Sequence, residues 1–121
     1  MHPGGHTLER HVGKTTEELL ARLERRPKLP ATSTFKSLEQ AEILTTKTLK
    51  AHKYEIEMWV KNAPRGIPLR KKISMQFSSP TGIVVRRGSI QARDCYRVEI
   101  WLEMTNYNGK PYFILTSMPM E

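Results

Sequence analysis

The chain has 121 residues, 38% of them hydrophobic, with 20 Lys+Arg against 12 Asp+Glu and a net charge of +8. That is one domain's length, with enough apolar content for a modest core and too much for a disordered chain. No apolar run approaches the roughly 20 residues of a membrane span, and a single cysteine, Cys95, excludes an internal disulfide or a multi-cysteine zinc site.

The N-terminus lacks the apolar stretch of a signal peptide, so export would need a carrier outside this chain. This suits a cytoplasmic protein or a domain cut from a longer one. The positive charge favours a polyanionic partner, nucleic acid or an acidic protein, through counterion release and long-range steering.

In chain order, Met1 to Gly13 reads as a loop or short irregular turn, rich in Gly and His. Thr15-Thr16-Glu17-Glu18 is a capping box with Thr15 as N-cap. It opens the helix "TEELLARLERR", which carries Leu19, Leu20 and Leu23 on one face and ends at Pro27 and Pro30. A helix restarts near Ser37, with a second capping box in Ser37-x-x-Gln40. Its apolar stripe, Leu38, Ala41, Leu44, Leu49, His52, Ile56 and Trp59, carries it to about Lys61 with room for a break.

Strands follow. "LRKKISMQF" alternates, "SSPTG" is a turn, and "IVVRRG" is a short strand. "DCYRVEIWLEMT" alternates with Tyr96, Val98, Ile100, Leu102 and Met104 on one face and Arg97, Glu99 and Glu103 on the other. Asn108-Gly109 signals a two-residue hairpin, and "KPYFILTSMP" is the return strand. The pattern predicts one α+β domain over 1–121: a loop-like entry at 1–13, a helical half at 15–63 and antiparallel strands at 68–118.

The densest cluster of chemistry is "GGHTLERHVGKT", Gly4 to Thr15. Gly13-Lys14-Thr15 is not a P-loop, because Leu8 stands where that motif needs glycine and no strand precedes it. His6 and His11 are five apart, which on a helix points them about 140° apart, and no cysteine or further fixed histidine joins them as a metal ligand. No metal or cofactor is expected. Acid–base chemistry remains, since histidine titrates near neutral pH and the nearby cations Arg10, Lys14 and Arg22 suit a phosphodiester. A structural alternative stands beside it: His11 packs where the loop enters the helix, and Arg22 pairs with Glu18 at i,i+4.

"GGHTLERHVGKTTEELLARL", "ATSTFKSLEQAE", "AHKYEIEMWV" and the closing "YFILTSMP" resemble the RNase A-like toxin domain at the C-terminus of contact-dependent inhibition proteins and related polymorphic toxins. The resemblance covers most of the chain; 64–93 adds little. It implies an RNase A-like α+β fold, with N-terminal helices packed on a kinked antiparallel sheet and no disulfides. It also implies metal-independent cleavage of RNA by transesterification, leaving a 2′,3′-cyclic phosphate.

By this resemblance the family's functional histidine falls on His11, its arginine on Arg22 and its terminal-strand threonine on Thr116. The tyrosine two residues beyond that threonine is replaced here by Met118, which can neither donate a proton nor anchor a phosphate. Tyr112, of the same strand parity as Thr116, and His6 are candidates to substitute, with Lys14 a further phosphate contact. A weakened or inactive toxin is the third possibility. The implied partners are RNA, a cognate and acidic immunity protein, and a larger secreted carrier that delivers the domain to a target-cell cytoplasm.

One rival reading is a non-catalytic RNA- or DNA-binding module using Arg70, Lys71, Lys72, Arg86 and Arg87, with Trp101 as a stacking surface. A second, a toxin acting on protein or nucleotide such as an ADP-ribosyltransferase, lacks its signatures: Thr32-Ser33-Thr34 stands at a helix entrance, where capping explains it.

Overall fold

In a computed structural model of the chain, residues 12–62, 69–104 and 111–121 are described. Among them are helices α1 (Thr16–Arg25), α2 (Leu38–Ala51) and α3 (Lys53–Lys61). The strands are β1 (Ala31–Phe35), β2 (Arg70–Gln76), β3 (Gly82–Arg86), β4 (Arg93–Cys95), β5 (Arg97–Met104) and β6 (Tyr112–Met120).

The capping box at the start of α1 is complete. Thr15 Oγ1 accepts from the Glu18 N–H at 3.1 Å, and Glu18 Oε1 accepts from the Thr15 N–H at 3.2 Å. Glu17 and Glu18 in the first turn and Arg22 and Arg25 in the last complement the helix dipole. Leu19 and Leu23 are buried against Val85 of β3, forming the smaller of two cores.

The predicted helical half is interrupted by β1, a correction to the sequence reading. Thr32-Ser33-Thr34 lies within this strand, and Ser37 alone caps α2 by accepting from the Gln40 N–H at 3.1 Å. Four of the five β1 residues are buried, so the strand shows none of the alternation that betrays a half-exposed one. Thr32 Oγ1 donates to Leu19 O of α1 at 3.1 Å, so even its polar side chains are satisfied inside. The predicted break between α2 and α3 falls at His52, whose Nδ1 lies 2.8 Å from Thr48 O.

Two antiparallel three-stranded sheets follow, in the orders β1-β3-β4 and β2-β5-β6. Only Tyr96 separates β4 from β5, so one bent strand leaves the first sheet and enters the second, producing the expected kink. Gly82 marks where the sheets press together: a β-carbon there would collide with Thr34 O and lie 2.8 Å from Pro119 Cγ. The larger core gathers Ile73, Val98, Ile100 and Leu102 from the second sheet against Ala41, Leu44, Ile56 and Trp59 from α2 and α3. Within it Thr45 of α2 and Ser117 of β6 share a buried hydrogen bond of 2.8 Å, fixing the terminal strand to the helix.

One irregularity in β6 governs the site. Trp101 pairs with Thr116 but Leu102 pairs with Ile114, leaving Leu115 as an extra residue in a β-bulge. A bulge reverses the alternation beyond it. Tyr112 and Ile114 oppose the core-side residues Met104 and Leu102, whereas Thr116, Met118 and Met120 oppose Trp101, Glu99 and Arg97 on the other face.

Candidate active-site cleft

The bulge turns Thr116 and Met118 into a cleft of about 520 Å³ between α1, the β1–β3 sheet and β6. Arg22 enters it from α1, while Thr32 and Ser33 of β1, Arg86 of β3 and Glu121 complete the polar lining. Arg22 and Thr116 are 94 positions apart in sequence, yet they line one wall-to-wall space. Arg22 also borders a groove of about 300 Å³ along α1, shared with Lys14, Arg25 and Arg26. Lys14 therefore lies in a groove that meets the cleft at Arg22 rather than in the cleft itself. Its Nζ stands 3.9 Å from Glu18 Oε2.

Tyr112 does not join them. Its ring packs against Trp59, with centroids 6.2 Å apart, and it borders a separate groove beside α3. Tyr112 would share the face of Thr116 only in an unbroken strand, and the bulge at Leu115 breaks that alternation. His6 and His11 lie outside the described residues. Val12, which follows His11, forms a parallel bridge with Phe35 of β1, and Gly13 N donates to Phe35 O at 2.9 Å. Gly13 takes φ +64°, a conformation natural to glycine, as the chain turns toward the α1 cap. Among the described residues no group of three or more His, Cys, Asp or Glu is arranged to hold a metal ion.

The cations of the predicted basic surface, Arg70, Lys71, Lys72, Arg86 and Arg87, are each engaged. Arg70 pairs with Glu103 at 3.4 Å, Lys71 with Glu55 at 3.1 Å and Lys72 with Glu99 at 3.8 Å. Lys72 Nζ also sits 5.9 Å from the Trp101 ring centroid, so the proposed stacking face carries a cation. Arg87 has a different role altogether. It donates to Leu23 O, Arg26 O and Leu29 O at 2.7–2.8 Å, closing the exposed carbonyl end of α1.

Glu121 concentrates charge at the cleft mouth, where both carboxylate oxygens accept from Arg86 at 2.5 and 3.0 Å. Its field reaches Cys95. Burial first, then Glu121 and Asp94, push that thiol up to about 12, so the cysteine is a packing residue and no nucleophile. In the sequence Ser33 reads as part of a capping run and Arg86 as part of a basic surface, and nothing singles out Glu121. No spacing rule could find them, because they meet Arg22 only through the β1–β3 and β5–β6 pairings.

The model of the bacterial CdiA-CT RNAse A domain matches residues 5–119. Among solved structures the chain is similar to the CdiA-CT/CdiI complex from Y. kristensenii 33638, at 28% identity and a TM-score of 0.87. That match covers 97% of this chain and 100% of the other. No curated protein matches. A family match over nearly the whole length agrees with the kinked two-sheet fold and its helix-to-terminal-strand cleft: the chain belongs to the bacterial CdiA-CT RNase A domain family, as an RNase A-like toxin domain.

Proposed function

We propose that this domain is a metal-independent ribonuclease toxin that cuts RNA by acid–base transesterification in the cleft between α1 and β6. The observation that carries the reading is the shared cleft of Arg22, Thr116 and Met118, the positions that the family resemblance singles out at opposite ends of the chain. The 2′-hydroxyl oxygen bonds to phosphorus as the bond to the 5′-oxygen breaks. One group takes the 2′-hydroxyl proton and another supplies a proton to the departing 5′-oxygen, leaving a 2′,3′-cyclic phosphate and a 5′-hydroxyl.

His11 performs one of these proton transfers. In support, its covalent neighbour Val12 is bridged to Phe35 of β1, the strand whose other end, Ala31 to Ser33, lines the cleft. Arg22 offsets the charge gathering on the phosphoryl oxygens, and the Thr116 hydroxyl donates to one of them. Met118 supplies no proton, so the second transfer falls to His6 or to water; Lys14 steadies RNA along the α1 groove. An acidic immunity protein that covers the cleft, and a larger secreted carrier that delivers the domain to the target cytoplasm, complete the reading. The CdiA-CT/CdiI complex solved from Y. kristensenii supports an immunity protein as partner.

The test is total RNA incubated with the domain in excess EDTA, followed by analysis of the ends produced. Cleavage to cyclic phosphates, lost by about 10²-fold or more in His11→Ala and reduced in Arg22→Ala, is the expected result. A gain of activity in Met118→Tyr would show that the methionine weakens an otherwise intact site. RNA that is bound but left whole would move the domain to the non-catalytic module or inactive toxin.

A further inference from the structure

Glu121 sits among three arginines delivered by three different strands. Arg86 of β3 holds both its carboxylate oxygens, Arg93 of β4 places Nη1 3.7 Å from Oε2, and Arg97 of β5 donates from Nη1 to its main-chain oxygen at 3.5 Å. The Arg86 and Arg93 side chains remain 55% and 61% exposed. Arg86 and Glu121 also line the cleft that contains Arg22 and Thr116.

A bidentate guanidinium fits two oxygens of a carboxylate and two of a phosphate with the same fork. Exposed pairs of this kind contribute little net stability, so exchanging one anion for another costs little. A nucleic-acid phosphate adds what the carboxylate lacks, the release of counterions condensed on a polyanion. We propose that Arg86, Arg93 and Arg97 form a second phosphate subsite, taking the backbone of RNA beyond the nucleotide being cut, with the Glu121 carboxylate as the placeholder that RNA displaces. The subsite rests on RNA being the substrate. It extends the site from the one phosphate at Arg22 to a stretch of backbone running past β3 and β4.

The experiment measures binding of a fluorescein-labelled, fully 2′-O-methylated 12-nucleotide RNA, which lacks the attacking hydroxyl, to the whole domain across a salt series in EDTA. Cleavage of unmodified RNA is followed in parallel. Replacing Arg86 and Arg93 with glutamine is expected to weaken binding about tenfold. It should also lower the salt slope by about 1.4, at 0.7 per lost phosphate contact on a single strand. Glu121→Gln is expected to tighten binding severalfold, a change that misfolding cannot mimic. Unchanged affinity and slope in both variants, in a domain that still cleaves RNA, would overturn the subsite. So would a Glu121→Gln variant that gains affinity for polyglutamate and none for RNA, since the arginines would then be built for an acidic protein. Binding with both expected changes but no cleavage by the wild type would sustain the subsite and overturn the ribonuclease reading. A wild type that neither binds nor cleaves would overturn both.

Discussion

Adjacent arginines at the end of β3 should differ sharply in their contribution to stability. Arg87 donates from Nε to Leu29 O at 2.8 Å and from Nη2 to Leu23 O and Arg26 O at 2.8 and 2.7 Å. A hydrogen bond from a charged donor contributes about 1.5–3 kcal/mol when buried. Two of these three are exposed, so a sum near 2 kcal/mol is the appropriate scale. Arg87→Met keeps most of the aliphatic stem and removes the donors, leaving the Leu23, Arg26 and Leu29 carbonyls without this partner. With an unfolding entropy of about 2.1 cal/mol/K per residue, 2 kcal/mol corresponds to a fall of about 8 °C in Tm for this chain. Arg86→Met breaks only the exposed pair with Glu121 and should cost less than about 1 kcal/mol. Thermal and urea unfolding followed by circular dichroism would measure both variants. If they lie within about 0.5 kcal/mol of each other, the closing of α1 by Arg87 is not a source of stability. The last turn of α1 carries Arg22, so Arg87→Met should also lower RNA cleavage without touching the cleft.

Three further outcomes follow from the interior. Thr45→Val strips the fully buried Ser117 hydroxyl of its 2.8 Å partner and should cost about 1–3 kcal/mol in urea; adding Ser117→Ala should recover part of it, and strict additivity would count against the pair. Gly82→Ala drives a β-carbon into Thr34 O and Pro119 at the sheet junction, so a loss of about 3 kcal/mol is expected, and a neutral effect would deny the close approach. Cys95 should resist a thiol reagent at pH 8 until urea is added. Because the folded thiol is pushed up to about 12 from an ordinary value of 9.0, only the unfolded chain ionises between those limits. The stability advantage of wild type over Cys95→Ala should therefore shrink as pH rises from 9, by about 1.4 kcal/mol per unit. A constant gap would contradict the assignment.

Local signals determined much of this protein from sequence alone. The Thr15–Glu18 box and the Leu19/Leu23 face made α1 legible, because capping and the 3.6-residue period act within one turn. The strict alternation of Val98, Ile100 and Leu102 did the same for β5, one of whose faces is buried. Family resemblance pointed to Arg22 and Thr116, which the fold sets in one cleft. What the sequence could not decide is long-range. β1 packs against both α1 and the terminal strand and is buried at four of its five residues, so no period marks it. The bulge at Leu115 shifts the register by one residue and carries Tyr112 to the opposite face from Thr116, undoing an argument from parity that was sound for a regular strand. Arg86 and Arg87, neighbours of identical chemistry, part ways only when β3 sets one beside Glu121 and the other against the end of α1. Periodicity reports which face of a segment is buried; only the packing of segments distant in sequence decides which face meets the cleft.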